Sequence, residues 1–149
     1  MIIIVVNHQL FHSLHQLSRF LTKRANQALQ PFDLYSAQWS VIYALKMKGT
    51  LTQKELCEYL AVEAPPLTRN IQRLVKKGYV RQVSGEDKRQ KKIELTEEAL
   101  AEFPKWEQAI MSVNQELIAN VPQQAEAQLE ELLTGWLLAI SEQEGAKDE

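Results

Sequence analysis

Apolar residues recur by fours and threes through the first part of the chain. Leu10, Leu14, Leu17, Leu21, Ala25 and Ala28 predict one long helix from residue 7 to about 30, with a single apolar stripe. Gln30-Pro31 ends it, because the residue before proline is pushed out of the helical region. Ser36 is the expected N-cap of a second helix that buries Trp39, Ile42 and Leu45 and stops at Gly49.

The pattern then shortens. Thr52-Gln53-Lys54-Glu55 has the spacing of a capping box, in which the Thr52 hydroxyl accepts from the N–H of Glu55 and the Glu55 carboxylate returns to the N–H of Thr52. The short helix it starts is expected to turn Leu56, Tyr59 and Leu60 inward. Pro65-Pro66 suit the first turn of another helix, with Leu67, Ile71, Leu74 and Val75 as its buried face and Thr68, Arg69, Gln72, Arg73 and Lys76 opposite. Gly78 stands where a left-handed residue closes that helix. YVRQV at 79 to 83 and IEL at 93 to 95 read as antiparallel strands joined by the loop SGEDKRQKK. Thr96 caps a further helix running towards Asn120, with Pro104 as a candidate bend. Pro122 opens the last, whose Leu129, Leu132, Leu133, Trp136, Leu137 and Ile140 form one wide apolar face.

Composition narrows the class. At 149 residues with 45% hydrophobic content the chain can bury a real core. MIIIVV is too short and wrongly flanked for a signal peptide, and no run approaches the length of a membrane helix, so a cytoplasmic protein is expected. One cysteine, Cys57, excludes an internal disulfide and a multi-thiolate zinc site. Neither an activated nucleophile, nor a paired acid and base, nor a Gly-rich phosphate loop is visible, so no enzyme and no cofactor is expected.

Charge changes the picture more. The overall net charge of −2 hides a block from residue 65 to 92 with nine Lys and Arg against Glu86 and Asp87, a net of +7. From residue 97 onward twelve acids face Lys105 and Lys147, a net of −10. One segment suits a polyanion, and the other would be repelled by it.

Two short helices, the second basic on its outer face, followed by a hairpin make a winged helix-turn-helix. A charged outer face on a short helix is by itself usually only solvated. Its coincidence with a turn, a wing and the one strongly positive block favours DNA. Arg69 and Asn70, with Thr68, are then the base-reading candidates, and Arg73, Lys76 and Lys77 the phosphate contacts. In the loop, Lys88, Arg89, Lys91 and Lys92 are candidates for groove and phosphate contacts, Arg89 for the minor groove. Asp87 would be repelled by phosphate, so it is expected to point back and fix the loop.

These residues resemble the MarR (multiple antibiotic resistance regulator) family of bacterial transcription factors. The carriers are LTQKELCEYLAVEAPPLTRNIQRLVKKGYVRQ and SGEDKRQKKIELTEEA, with Asp87-Lys88-Arg89 matching the family's Asp-x-Arg wing element. Pro65-Pro66 depart from the small hydroxyl residues that the family often has at the recognition-helix start. The resemblance implies a mainly α fold within a single chain 1–149. Residues 36–96 would form a winged helix-turn-helix lobe with a small β-hairpin, and 1–30 and 97–149 an all-helical dimerisation lobe. It further implies a homodimer on a pseudo-palindromic double-stranded operator, acting as a repressor responsive to a small-molecule effector.

Other readings stay beside it. A winged helix can serve protein contacts without an operator. His8, His12 and His15 share one face of the first helix and could hold a metal, but no carboxylate or thiol is set beside them by any visible spacing. An exposed or interfacial stripe is the plainer account. Cys57 raises redox sensing, yet the nearest charges in sequence, Glu55 and Glu58, would repel a reactive thiolate, so a packed structural thiol is expected. Trp39, Tyr43 and Trp106 are candidates for an effector pocket, although aromatics at helical spacing are more often core.

Overall fold

The computed structural model describes residues 7–87 and 89–148. The chain forms two compact units, Met1–Met111 and Ser112–Glu149. The opening MIIIVV and Lys88 lie outside the described residues. In order come α1 (His8–Leu29), a 3-10 turn (Gln30–Phe32), α2 (Ser36–Lys48), β1 (Leu51–Thr52), α3 (Gln53–Leu60) and α4 (Ala64–Lys76). There follow β2 (Val80–Ser84), β3 (Lys91–Leu95), α5 (Glu97–Ile118) and α6 (Gln123–Lys147). Among the described residues no helix is long and apolar enough to cross a membrane.

The core of the first unit draws at least one residue from each of α1 to α5 and from β2 and β3. Leu29, Leu34, Ile42, Leu45, Leu56, Leu67, Ile71, Leu74, Val80, Ile93, Phe103 and Trp106 form one buried cluster. The periodic positions of α4 explain its place: Leu67, Ile71 and Leu74 are buried one turn apart. Val75, expected to join them, is 42% exposed. Tyr59, expected to turn inward on α3, is 50% exposed, with the Lys48 ammonium 5.2 Å from its ring centroid. A helix of eight residues has one narrow core-facing stripe, and Leu56 fills it while Cys57 and Leu60 pack at its edge.

Helix ends follow local chemistry. The Thr52–Glu55 capping box forms in both directions, each hydrogen bond at 3.1 Å. Ser36 is not the cap of α2 but its first residue, after Tyr35. The N–H of Ser36 is taken by Asn26 Oδ1 of α1 at 2.7 Å, and that of Tyr35 by Gln38 Oε1 at 3.2 Å. The role expected of Ser36 is thus filled by side chains from elsewhere, and Gln38 is buried to make its bond.

Gly78 closes α4 as expected. Its φ is 80°, its N–H donates to Val75 O, and the N–H of Tyr79 donates to Leu74 O, the paired bonds of a Schellman motif. Ala61 makes the matching turn after α3 at φ 54°, with Val62 N–H bonded to Cys57 O at 3.1 Å. A left-handed alanine carries no sequence signal.

The sheet has three strands, not two, in the order β1-β3-β2, all antiparallel. β1 is only two residues long and exists through its pairing of Leu51 with Ile93 and Thr52 with Lys92. α5 is capped by Thr96, whose Oγ1 accepts the N–H of Ala99 and donates to Gly78 O at 2.6 Å. The helix passes Pro104 without interruption and ends at Ile118.

The apolar stripe of α1 enters the core only at its end, where Ala25 and Leu29 pack. Leu10, Leu17, Phe20 and Leu21 are exposed. In the second unit α6 has no buried residue, and Leu132 and Leu137 are 71% and 68% exposed.

Candidate nucleic-acid interface

The candidate interface is built on α4. Leu67, Ile71 and Leu74 face the core, which leaves Arg69, Gln72, Arg73 and Lys76 side by side on the opposite, exposed face. At 1.5 Å per residue, Arg69 to Lys76 spans about 10 Å of helix. Asn70 and Thr68, both half-buried, flank this face on either side. Pro65 and Pro66 occupy the first turn, so two backbone positions at the helix tip have no N–H to offer.

Thr68 is engaged within the protein. Its hydroxyl donates to Ala64 O at 2.9 Å and accepts from Gln53 Nε2, the first residue of α3. The hydroxyl's one proton is therefore used, and Gln53 ties the two helices of the reading motif together. Gln53 was not among the sequence candidates; fifteen residues separate the pair and no spacing rule joins them.

Lys77 also has protein partners. Its ammonium donates to the main-chain carbonyl of Asp33 and lies 3.1 Å from Asp33 Oδ2. The cationic face of α4 thus ends at Lys76. Arg81 is neutralised too, with its Nε 2.6 Å from Glu94 Oε1 across the β2–β3 pair. That hydrogen bond holds the Glu94 carboxyl below its usual range, helped by the Arg81 charge and by the Thr50 hydroxyl. The pairing was legible, since a hairpin register that opposes Val80 to Leu95 must oppose Arg81 to Glu94. Glu55 is likewise held low, first by the backbone N–H of Thr52.

The wing tip is shaped by Asp87. Its Oδ1 accepts the N–H of Arg89 at 3.0 Å and its carbonyl accepts the N–H of Gln90 at 2.9 Å, while Gly85 N–H reaches Gln90 O at 3.3 Å. The carboxylate is turned onto its own loop, as an Asx turn requires. Arg89 is exposed at the tip. Lys91 and Lys92 are neighbours on β3 and so point to opposite faces of the sheet. Arg69, Arg73, Lys76 and Arg89 form no ion pair among the described residues.

The expected aromatic pocket divides. Trp106 is 1% exposed and packs edge-on against Tyr79 at 4.7 Å between ring centroids, so it is core and not pocket lining. Burial there pushes the Tyr79 hydroxyl up. Trp39 is half-buried between Phe103, stacked at 5.3 Å, and Tyr43 at 5.9 Å. A cleft of about 260 Å³ opens elsewhere, between Asn26, Gln27, Gln30, Asp33, Leu34 and Tyr35. His8, His12 and His15 are all exposed on α1, and no group of three possible metal ligands gathers among the described residues. Cys57 packs half-buried against the core.

Comparison with known proteins places this arrangement. Residues 32–90 match the MarR family model. An uncharacterized HTH-type transcriptional regulator of Bacillus subtilis, YwoH, is 45% identical over 115 residues, which cover 77% of this chain and 84% of that protein. The multiple antibiotic resistance protein MarR of Escherichia coli is 31% identical over 122 residues, covering 80% of this chain and 85% of that protein. The structure of a cysteine-to-serine mutant of E. coli MarR complexed with operator DNA superposes with a TM-score of 0.78 at 30% identity, over 87% of this chain and 94% of that one. With its reading helices, wing and flanking helices in the same order, this chain belongs to the MarR family of winged helix-turn-helix transcriptional regulators.

Proposed function

We propose that the protein is a sequence-specific DNA-binding transcriptional regulator. It grips a pseudo-palindromic operator as a homodimer and represses until a small molecule changes the spacing of its two reading heads. One observation carries this reading. Arg69, Arg73 and Lys76 lie together on the one face of α4 that the core leaves open, un-neutralised, and Arg89 stands at a wing tip that Asp87 holds in shape. Arg69 and Asn70 read base edges, Arg73 and Lys76 hold phosphates, and Arg89 enters the minor groove. Lys88, Lys91 and Lys92 add to the wing's attraction for the backbone, Lys91 and Lys92 from opposite sides of the sheet.

The relative complexed with operator DNA supports the choice of ligand. The homodimer is supported by α6, whose Leu132, Leu137 and Leu138 are more than 60% exposed, and by Leu10, Leu17, Phe20 and Leu21 on α1. Apolar surface of that extent calls for a partner, and a second copy supplies the same surface.

Binding to duplex DNA measured against salt tests the reading. Phosphate contacts require log affinity to fall linearly with log salt, by about 0.9 per phosphate neutralised. A flat dependence, or no binding at low salt, overturns the proposal and leaves the winged helix as a protein-contact module.

A further inference from the structure

Lys77 sits one residue past α4 and next to Lys76, in the most basic stretch of the chain, yet the two lysines behave differently. Lys76 is exposed; the Lys77 side chain is only 25% exposed and reaches back to Asp33, 44 residues earlier. Its ammonium donates to the Asp33 carbonyl oxygen and pairs with Oδ2 at 3.1 Å.

Both ends of this contact are held by backbone. Asp33 has left-handed geometry, φ 53°, with its N–H bonded to Gln30 O and the next residue, Leu34, buried with its N–H on Leu29 O. That turn aims the Asp33 carbonyl. On the other side the N–H of Lys77 is bonded to Arg73 O, and Gly78 and Tyr79 close the Schellman motif immediately after. Two carboxylates lie beside this end of α4: Asp33 on the α1–α2 junction, and Glu98 of α5, whose Oε2 would lie 3.1 Å from a Cβ placed on Gly78. The side of the helix end that carries these carboxylates, to which Lys77 turns, is not the side that faces phosphates, whereas Lys76 stays on the exposed face.

We propose that Lys77 is a positioning residue: clasped to Asp33, it fixes the C-terminal end of the recognition helix against the junction of α1 and α2, and so sets the angle at which Arg69 and Arg73 are presented. The inference rests on the DNA-binding reading above. It assigns to Asp33, an acidic residue far from the basic block in sequence, a favourable part in DNA binding.

The test uses full-length protein and a duplex selected from a random pool by the wild type. Affinity is measured against salt for wild type, Lys77→Gln, Asp33→Asn and the double variant; asparagine keeps the left-handed backbone available. A positioning role makes Lys77→Gln bind about tenfold more weakly with an unchanged salt slope, since no phosphate contact is lost. Asp33→Asn also weakens binding, and the double variant is no weaker than Lys77→Gln alone, because the pair acts as one unit. A slope reduced by about 0.9 in Lys77→Gln makes Lys77 a phosphate contact and overturns the clasp. Tighter or unaltered binding in Asp33→Asn overturns it as well. Failure of the wild type to select any duplex, or to show a salt slope, removes the DNA-binding reading itself, so the two failures are told apart.

Discussion

The carboxylate of Asp87 accepts the backbone N–H of Arg89 at 3.0 Å, so the acid at the wing tip is turned onto its own loop. Removing a negative charge from a DNA-binding surface ordinarily tightens binding. Here Asp87→Ala is expected to weaken it, by loss of the loop geometry that presents Arg89, with the affinity for duplex DNA at fixed salt as the readout. Tighter binding would show that Asp87 faces the phosphates instead.

Arg69 stands at the start of the open face of α4, where an arginine fork can pair with guanine O6 and N7. Arg69→Ala is expected to cost about 1–3 kcal/mol and to relax preference at one base pair, read by binding to a panel of single-base operator variants. Equal weakening across the panel would make Arg69 a phosphate contact.

The exposed leucines of α6 predict that the dimer depends on this helix. A chain truncated before Pro122 is expected to sediment as a monomer or to aggregate. A folded truncation that sediments as an unchanged dimer would refute the role given to the helix.

Ala61 turns the chain between α3 and α4 at φ 54°, where its Cβ crowds the backbone. Ala61→Gly relieves that strain, offset in part by the freer unfolded chain, and is expected to stabilise by roughly 0.5–1 kcal/mol in urea unfolding. Ala61→Val, branched at Cβ, is expected to destabilise. An unchanged midpoint in both would mean that the turn is unstrained.

Glu94 titrates below its usual range because Arg81 hydrogen-bonds the carboxylate in the folded protein. A depressed folded pKa gives stability that is present above the ordinary value of 4.5 and is lost as pH falls through the lower folded value. Glu94→Gln is therefore expected to be less stable than wild type near neutrality, and the difference in unfolding midpoint to shrink below pH 4.5. A difference that stays constant with pH would locate the loss in packing instead.

The elements legible in the sequence were those whose determinants lie within a few residues of each other. Thr52 with Glu55, Gly78, and Thr96 before two glutamates each mark a helix end by local hydrogen bonding, and each stands where it was expected. What was not legible depends on partners distant along the chain. β1 is two residues that become a strand only beside Ile93, and Ser36 lost its capping role to Asn26 across the α1–α2 turn. Tyr59 and Val75 satisfy a helical period yet fall outside the narrow stripe that short helices bury. At the candidate interface, Arg69, Arg73, Lys76 and Arg89 emerged as exposed cations from pattern alone. The tether of Thr68 to Gln53 and of Lys77 to Asp33 did not, because a lysine with a partner 44 residues away looks in sequence like any other lysine of the basic block.

The prolines at the tip of α4 bear on how this protein would hold a phosphodiester chain. A helix start usually offers up to four amide hydrogens to an anion at no cost in side-chain freedom. With Pro65 and Pro66 in that first turn, two of those hydrogens do not exist, which leaves those of Glu63 and Ala64 before Leu67 makes the first intrahelical bond, to Glu63 O. Main-chain anchorage at the tip is therefore halved, and more of the anchorage passes to ionic side chains. Each of those can be deleted one at a time, so the salt slope of the wild type should resolve largely into separate decrements from single arginine and lysine substitutions.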